Sequence, residues 1–214
     1  MHVSTEDYHG PSAVTWASDY VMRKVHEKYV GIEMRILESS LAKLLGTPQP
    51  LYLPYREYEF WSCRILASGQ QVQTLEAGQV SSTGQYEHDH ANDIQFVAHD
   101  VIPSSDFSKL HVKRGQLLYS QNTKEPLCDA AAIQNEELLL FQMTIGLTHD
   151  FVEGKFARYC TVARQHNLER VRFIYVVPFL GKFKVPKKQI DIFKNNTSGI
   201  NVRLEVAEIR PRRL

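Results

Sequence analysis

Two short apolar segments, joined by a few polar residues, constrain the fold of this chain more than any other feature. They occupy residues 129–133 and 138–142. Apolar runs of this length, bounded by turn-forming residues, are typical of two buried antiparallel strands that form a hairpin. The polar residues between them predict a tight turn centred between Asn135 and Glu136.

Three polar side chains share one face of this predicted hairpin. The turn places Asp129 directly opposite Gln142, with Cβ atoms about 4.5–5.5 Å apart. Because strand side chains alternate, Leu140 and Thr144 lie on the same face as Gln142. Buried polar groups must be paired or used, so the carboxylate, amide and hydroxyl mark a candidate reaction centre. The opposite face carries Leu139, Phe141, Met143 and Ile145.

A purely structural explanation of the polar pair stays open. Asp129 and Gln142 could simply hydrogen-bond each other, as buried polar residues usually do. A register slip of one residue would send one of the two side chains to the opposite face.

Length and composition indicate one folded domain with an N-terminal extension. The 214 residues suffice for one sizeable core. We assign residues 1–50 to a polar tail and a helical extension, and residues 51–214 to the main domain. The formal net charge is +1, so any nucleic-acid surface must come from local clusters of basic residues.

The cysteines and the hydropathy pattern indicate a reduced, soluble polypeptide. Cys63, Cys128 and Cys160 are widely spaced in apolar surroundings, as expected for buried thiols rather than for disulfides or a zinc site. No apolar run approaches membrane-spanning length, so we expect no membrane association. The N-terminus lacks a secretory signal, and a longer parent protein could carry targeting sequence that this chain does not.

Periodicity along the chain predicts a mixed sheet flanked by helices, that is, an α/β fold. The predicted helices lie in residues 18–45, with a break at Gly31, in 55–67, from Asp150 and Glu153 onwards, and in 186–196. The predicted strands are 71–76, the two hairpin strands, 171–178 and 202–209, with weaker candidates at 94–101 and 116–119.

Two longer motifs carry a resemblance to a known family. They are YEFWSCRILASGQQVQTLEAG and QLLYSQNTKEPLCDAAAIQNEELLLFQMTIGLTHDF.

 The first motif begins at Tyr58 and the second at Gln116. Their order and spacing resemble the nuclease-like C-terminal domain of Crinkler effectors and retrotransposon hot spot proteins, which has a PD-(D/E)XK restriction-endonuclease-like fold. The likeness spans about residues 55–178, and SAVTWASDYVMRKV, near the N-terminus, is more weakly similar.

The resemblance implies divalent-metal-dependent hydrolysis of phosphodiester bonds in host DNA, with Mg²⁺ or Mn²⁺ as the cofactor. It matches Glu59 to a helix-borne acid and Asp129 to the metal-binding aspartate of the second strand. Gln142 falls at the second carboxylate ligand and Thr144 at the lysine, so metal binding is expected to be weak. The implied metal ligands are Asp129, Glu59 and Gln142. Whether a domain with these altered residues is still catalytic stays open. A Crinkler-type parent would be a virulence effector secreted into a host cell, acting in its nucleus or cytoplasm.

Several basic residues and histidines are candidates for nucleic-acid binding. His149 precedes a predicted helix N-terminus, where anions bind favourably, and Lys155 lies in the first turn of that helix. Four lysines cluster in GKFKVPKK, and three arginines lie close to the end of the chain; they are Lys182, Lys184, Lys187 and Lys188, with Arg210, Arg212 and Arg213. Each of these groups could instead be a solvated surface or a helix cap.

Three alternatives complete the predictions. His88, Asp89, His90, Asp93 and His99 could form a zinc site, although no cysteine supports it. The nuclease fold could be catalytically inactive and serve as a module that binds DNA or a host nuclear protein. The chain could also be an interaction domain that forms a homodimer through its N-terminal helices.

Overall fold

The computed structural model describes most of the predicted domain. The described residues are 34–45, 52–77, 92–97, 100–104, 112–120, 128–149, 153–196 and 198–211. The helices are α1 (Met34–Leu44), α2 (Tyr52–Ala67), α3 (Glu153–Gln165) and α4 (Lys187–Lys194). The strands are β1 (Ser68–Glu76), β2 (Asn92–Val97), β3 (Asp100–Ser104), β4 (Gln116–Ser120), β5 (Ala130–Gln134), β6 (Glu137–Met143), β7 (Arg170–Val177) and β8 (Asn201–Glu208).

Within this part of the chain, the eight strands form one mixed sheet in the order β2-β1-β8-β7-β6-β5-β4-β3. Strands β6, β7 and β8 are parallel, and α3 and α4 provide the connections between them. Strands β4, β5 and β6 form an antiparallel meander, and β1 is antiparallel to both of its neighbours. The predicted mixed sheet flanked by helices is confirmed.

The sheet is curled so that its two edges approach each other. The edge strands β2 and β3 are separated by only two residues of chain, which can span no more than about 11 Å between Val97 and Asp100. The Gln134 side chain of β5 donates a hydrogen bond of 2.7 Å to the backbone oxygen of Gln95 in β2. Helix α2 contacts β1, β2, β3, β4 and β6, so it lies inside the curve.

Two hydrophobic clusters cover the two faces of the sheet. The inner cluster joins α1 and α2 to the sheet through Leu41, Tyr58 and Trp61. The outer cluster joins α3 and α4 to the other face through Phe156, Phe173 and Phe193. Strand β6 serves both clusters: Leu138 and Leu140 belong to the outer cluster, and Leu139, Phe141 and Met143 to the inner one.

The hairpin of β5 and β6 has the predicted register. Ala130 pairs with Phe141, and Gln134 pairs with Glu137, which is the predicted register along the whole of β5. Asn135 and Glu136 form the turn with φ of 48° and 61°. Two consecutive positive φ angles are what a two-residue type I′ hairpin requires.

Most predicted element positions agree with the structure to within a few residues. The main difference is at 94–101, where one weak candidate strand is in fact two strands, β2 and β3. The predicted helix before Gly31 and the capping residue Asp150 lie outside the described residues. No helix in the described ranges combines the length and the apolar character that a membrane span requires.

Candidate functional site

The candidate site lies where several strand ends meet. Because β6, β7 and β8 are parallel, their carboxyl ends form one edge of the sheet. Strand β5 runs in the opposite direction, so its first residues, beside Asp129, lie at the carboxyl end of β6. In α/β sheets, this edge is the usual place for ligand binding.

The strand alternation breaks at Asp129. Cys128 belongs to the outer cluster and Ala130 to the inner cluster, although strict alternation would place them on the same side. The backbone N–H of Asp129 also donates to the oxygen of Phe141, which is the partner of Ala130. This is the geometry of a β-bulge, a common device for redirecting a side chain next to a functional site.

The redirected carboxylate of Asp129 is hydrogen-bonded at the end of β6. Its Oδ2 accepts hydrogen bonds from Gln142 Nε2 at 2.6 Å and from the backbone N–H of Met143 at 2.7 Å. The predicted contact between Asp129 and Gln142 therefore exists. It is a hydrogen bond, as the purely structural explanation of the pair also predicted.

Helix α2 contributes the other polar groups. Tyr55 and Glu59 are four residues apart, so they lie on the same side of the helix, and the Tyr55 hydroxyl is hydrogen-bonded to Glu59. Gln142 Nε2 also lies 3.5 Å from the Tyr55 hydroxyl oxygen. Arg56 Nη1 donates to Glu59 Oε2 at 2.6 Å, and both side chains are largely buried.

The negative charges of Glu59 and Asp129 act on the same buried groups. Burial is the largest cause that raises the pKa of Asp129 well above its usual value, and the negative charge of Glu59 raises it further. The Met143 N–H, the Arg56 charge and the Gln142 amide oppose this shift of the Asp129 pKa. Burial, followed by the charges of Asp129 and Glu59, also raises the pKa of the Tyr55 hydroxyl and of the Cys63 thiol.

One buried oxygen atom at this site fits a divalent cation, namely Oε1 of Gln142. Gln142 is 2% exposed, and its Oε1 accepts no hydrogen bond from any described residue. A half-turn of the amide would bring this oxygen next to the Asp129 carboxylate, where both could ligate a hard cation through oxygen. In the described ranges, no group of three or more His, Cys, Asp or Glu side chains converges, so a cation here would have two carboxylates and an amide as its protein ligands.

Thr144 lies near the site but is engaged in a local turn. It is 3% exposed, and its Oγ1 accepts a hydrogen bond of 3.1 Å from the backbone N–H of Gly146. A Cβ atom at Gly146 would lie 3.0 Å from the oxygen of Thr148, so the turn is tight. Thr144 thus brings no positive charge to the position where the family pattern has a lysine.

The predicted basic residues lie at the same sheet edge. Lys184 follows β7, and its backbone N–H donates to the oxygen of Leu147, which follows β6. The Gln189 side chain donates to the oxygen of His149 at 2.5 Å and accepts from the Tyr175 hydroxyl at 2.7 Å. The side chains of the four predicted lysines are all exposed; they are Lys182, Lys184, Lys187 and Lys188.

Some candidate residues lie beyond what the structure describes. Lys155 is in the first turn of α3, at this edge, but its side chain is outside the described set. The residues of the predicted zinc site, apart from the backbone of Asp93 in β2, are outside it too, as are Arg212 and Arg213.

Sequence reasoning missed three residues near the site. Tyr55 and Arg56 precede Glu59 by four and three residues, a helical spacing that signals shared surface. Phe179 contacts two cations, with Lys182 Nζ and Arg210 Cζ each 5.1 Å from its ring centroid. No sequence signal pairs Arg210 with Phe179, because their contact depends on the neighbouring ends of β7 and β8.

Comparisons of the chain with protein-family models, with curated proteins and with solved structures gave no match.

Proposed function

We propose that this chain is a nuclease-like domain that binds DNA at the carboxyl edge of its sheet and hydrolyses phosphodiester bonds with a divalent cation. The observation that supports it best is the hydrogen bond between Asp129 and Gln142 at the end of β6, where the charge of Glu59 also acts and where a buried amide oxygen has no described partner. The order of the elements also fits the restriction-endonuclease-like core implied by the resemblance: α2, then the β4-β5-β6 meander, then α3 and a parallel β7.

Each residue has a defined part in this proposal. Asp129, Glu59 and the Gln142 oxygen would hold Mg²⁺ or Mn²⁺. When bound, the ion supplies an acidified water and neutralises charge on the phosphate. In hydrolysis the water would give up one proton to solvent as its oxygen bonds to phosphorus, the bond from phosphorus to one ester oxygen would break, and that oxygen would take up a proton from solvent. Exposed lysines at the same edge would hold the DNA backbone.

The order of the two motifs, which resembles that of Crinkler effectors, supports a proposed role in a host cell. A Crinkler-type effector would carry this domain into a host cell and act on host DNA in the nucleus. Contacts between lysines and phosphates carry no information about the bases, so we expect binding that is sensitive to salt and independent of sequence.

A plasmid-nicking assay tests the catalytic proposal. The chain is incubated with supercoiled DNA in Mg²⁺, Mn²⁺ or EDTA, together with Asp129→Ala and the matched control Asp191→Ala, which removes an exposed carboxylate from α4. We expect metal-dependent nicking that falls at least about a hundredfold in Asp129→Ala and is unchanged in Asp191→Ala. Nicking that persists in EDTA, or that survives loss of Asp129, would contradict the proposal.

A second candidate is a nuclease fold that binds DNA or a host protein without cleaving. It is favoured by the hydrogen bonds from Gln142 and Met143 that already engage Asp129 Oδ2, and by the neutral residues at 142 and 144. Fluorescence anisotropy with a labelled oligonucleotide separates the two candidates. Binding that weakens in Lys182→Ala/Lys184→Ala, without nicking at any metal concentration, would favour the binding module.

A further inference from the structure

The charge balance of the site depends on Arg56. Glu59 and Asp129 bring two carboxylates into a largely buried place, and the guanidinium of Arg56 lies 2.6 Å from Glu59 Oε2. The Arg56 and Glu59 side chains are only 16% and 11% exposed. Removing either partner of such a pair leaves an uncompensated charge, which is far more costly than at an exposed site.

We propose that Arg56 is the built-in counter-ion of the cation site: its guanidinium neutralises Glu59 until a divalent ion binds, and then binds a substrate phosphate. This inference rests on the proposed function of the site. It assigns Arg56 a role in coupling cation binding to substrate binding, which neither the sequence motif nor the carboxylates alone would supply.

A divalent ion and the guanidinium of Arg56 would compete for Glu59. A divalent ion ligated by Glu59 would draw on the same negative charge that now holds the guanidinium. Because two positive groups on one carboxylate repel each other in a partly dry site, binding of the ion should weaken the contact between Arg56 and Glu59.

The guanidinium of Arg56, once released from Glu59, is well suited to bind a phosphate. Guanidinium is planar and always charged, and its N–H groups match phosphate oxygens in pairs. Arg56 lies one helical turn before Glu59, and its charge also acts on Asp129. Position 144 has a neutral threonine, so Arg56 can supply positive charge to a phosphate where the strand does not.

Cation titration of the full chain tests the inference. Isothermal titration with Mn²⁺ and Mg²⁺ compares the unmodified chain with Arg56→Gln and with Arg64→Gln, which removes a guanidinium from the same helix over the Phe60 ring. We expect Arg56→Gln to bind the ion about tenfold more tightly, because a competing positive charge is gone, and Arg64→Gln to bind it as the unmodified chain does.

Oligonucleotide binding, measured in Ca²⁺ in place of Mg²⁺, supplies the second readout. We expect Arg56→Gln to bind the oligonucleotide about tenfold more weakly although it binds the ion more tightly. A variant that merely misfolds would lose both activities, so opposite changes identify the proposed role. Arg56→Lys should keep the ion affinity close to that of the unmodified chain, with weaker oligonucleotide binding.

The outcomes separate the two proposals. Ion binding in the unmodified chain that is equal or weaker in Arg56→Gln would overturn the role of Arg56 and leave the cation site standing. No ion binding in either protein would overturn the cation site itself, and the inference would fall with it.

Discussion

A single residue, Asp129, determines the character of the candidate site. The bulge turns its side chain out of the regular alternation. Its carboxylate then accepts a hydrogen bond from the backbone N–H of Met143, just before the first residue of β5. The negative charge of Glu59, on α2, acts on this carboxylate and raises its pKa further. One irregular position at a strand end is therefore coupled electrostatically to a helix.

The Asp129→Asn variant should be more stable than the unmodified chain at neutral pH. The folded-state pKa of Asp129 is raised, so ionisation of this carboxyl costs stability as pH rises from about 4 through the folded pKa. Asparagine removes that cost, and a half-turn of the Gln142 amide would give its unpartnered Oε1 a donor. We expect a gain on the order of 1 kcal/mol above the folded pKa.

Urea unfolding at several pH values in EDTA measures this difference. Below about pH 4 the advantage of asparagine should vanish, because the aspartate is then protonated in the folded and the unfolded states. An advantage that stays constant across the pH range would contradict a raised pKa at this position. Asp191→Asn, at an exposed site, is the control.

At the scale of elements, the β5–β6 hairpin positions the site. Its register follows from the two-residue turn and brings residue 129 to the end of β6, where the bulge lets the Asp129 carboxylate accept a hydrogen bond from Gln142. Asn135 tolerates the left-handed region well, but Glu136, with φ of 61°, does so at a cost. The exposed ion pair between Glu136 and Arg114 contributes little in return.

The Glu136→Gly substitution should stabilise the hairpin. Glycine adopts positive φ without the steric cost of a Cβ, and Asn-Gly is a favoured pair for a type I′ turn. We expect the free energy of unfolding to rise by about 0.5–1 kcal/mol, measured by thermal or urea denaturation. Glu136→Ala loses the same ion pair without relief of the φ angle and should not be stabilised. An equal gain in both variants would show that the backbone conformation is not the cause.

At the scale of the whole molecule, a buried ion network ties together four adjacent strands. Arg172 of β7 donates to both carboxylate oxygens of Glu205 in β8, at 2.9 and 2.7 Å, and to the hydroxyl of Thr74 in β1 at 3.0 Å. It also pairs with Glu137 of β6 at 3.4 Å, and Glu205 is 0% exposed. The network fixes the positions of β6, β7 and β8, whose carboxyl ends form the edge with the candidate site, relative to one another and to β1.

Arg172→Met should be strongly destabilising, by about 3–5 kcal/mol, because it leaves Glu205 buried and without its main counter-charge. The double variant Arg172→Met/Glu205→Leu should recover much of that loss, since it removes both charges together. Arg170→Met is the matched control, because that arginine is 40% exposed and its pair with Glu137 should contribute about 1 kcal/mol or less. Equilibrium denaturation checks all three. A double variant no more stable than Arg172→Met would refute the explanation by buried charge.

The elements that could be predicted share one property: their signal is local. The register of the β5–β6 hairpin, the helix around Glu59 and the two-sided burial of β7 follow from residues close together in sequence. The division of one weak segment into β2 and β3 was not predictable in this way. These strands occupy opposite edges of the sheet and depend on partners, β1 and β4, that lie elsewhere in the chain.

The sequence by itself determined that Asp129 and Gln142 would lie at the same end of the β5–β6 hairpin, because a two-residue turn and an alternating strand pattern leave one favoured register. Only the tertiary structure decided that α2 lies inside a curled sheet, and that Tyr55, Arg56 and Glu59 reach that pair. The reason is physical: hairpin contacts form between neighbours in sequence, whereas the position of a helix depends on how the whole sheet curves and which faces it buries.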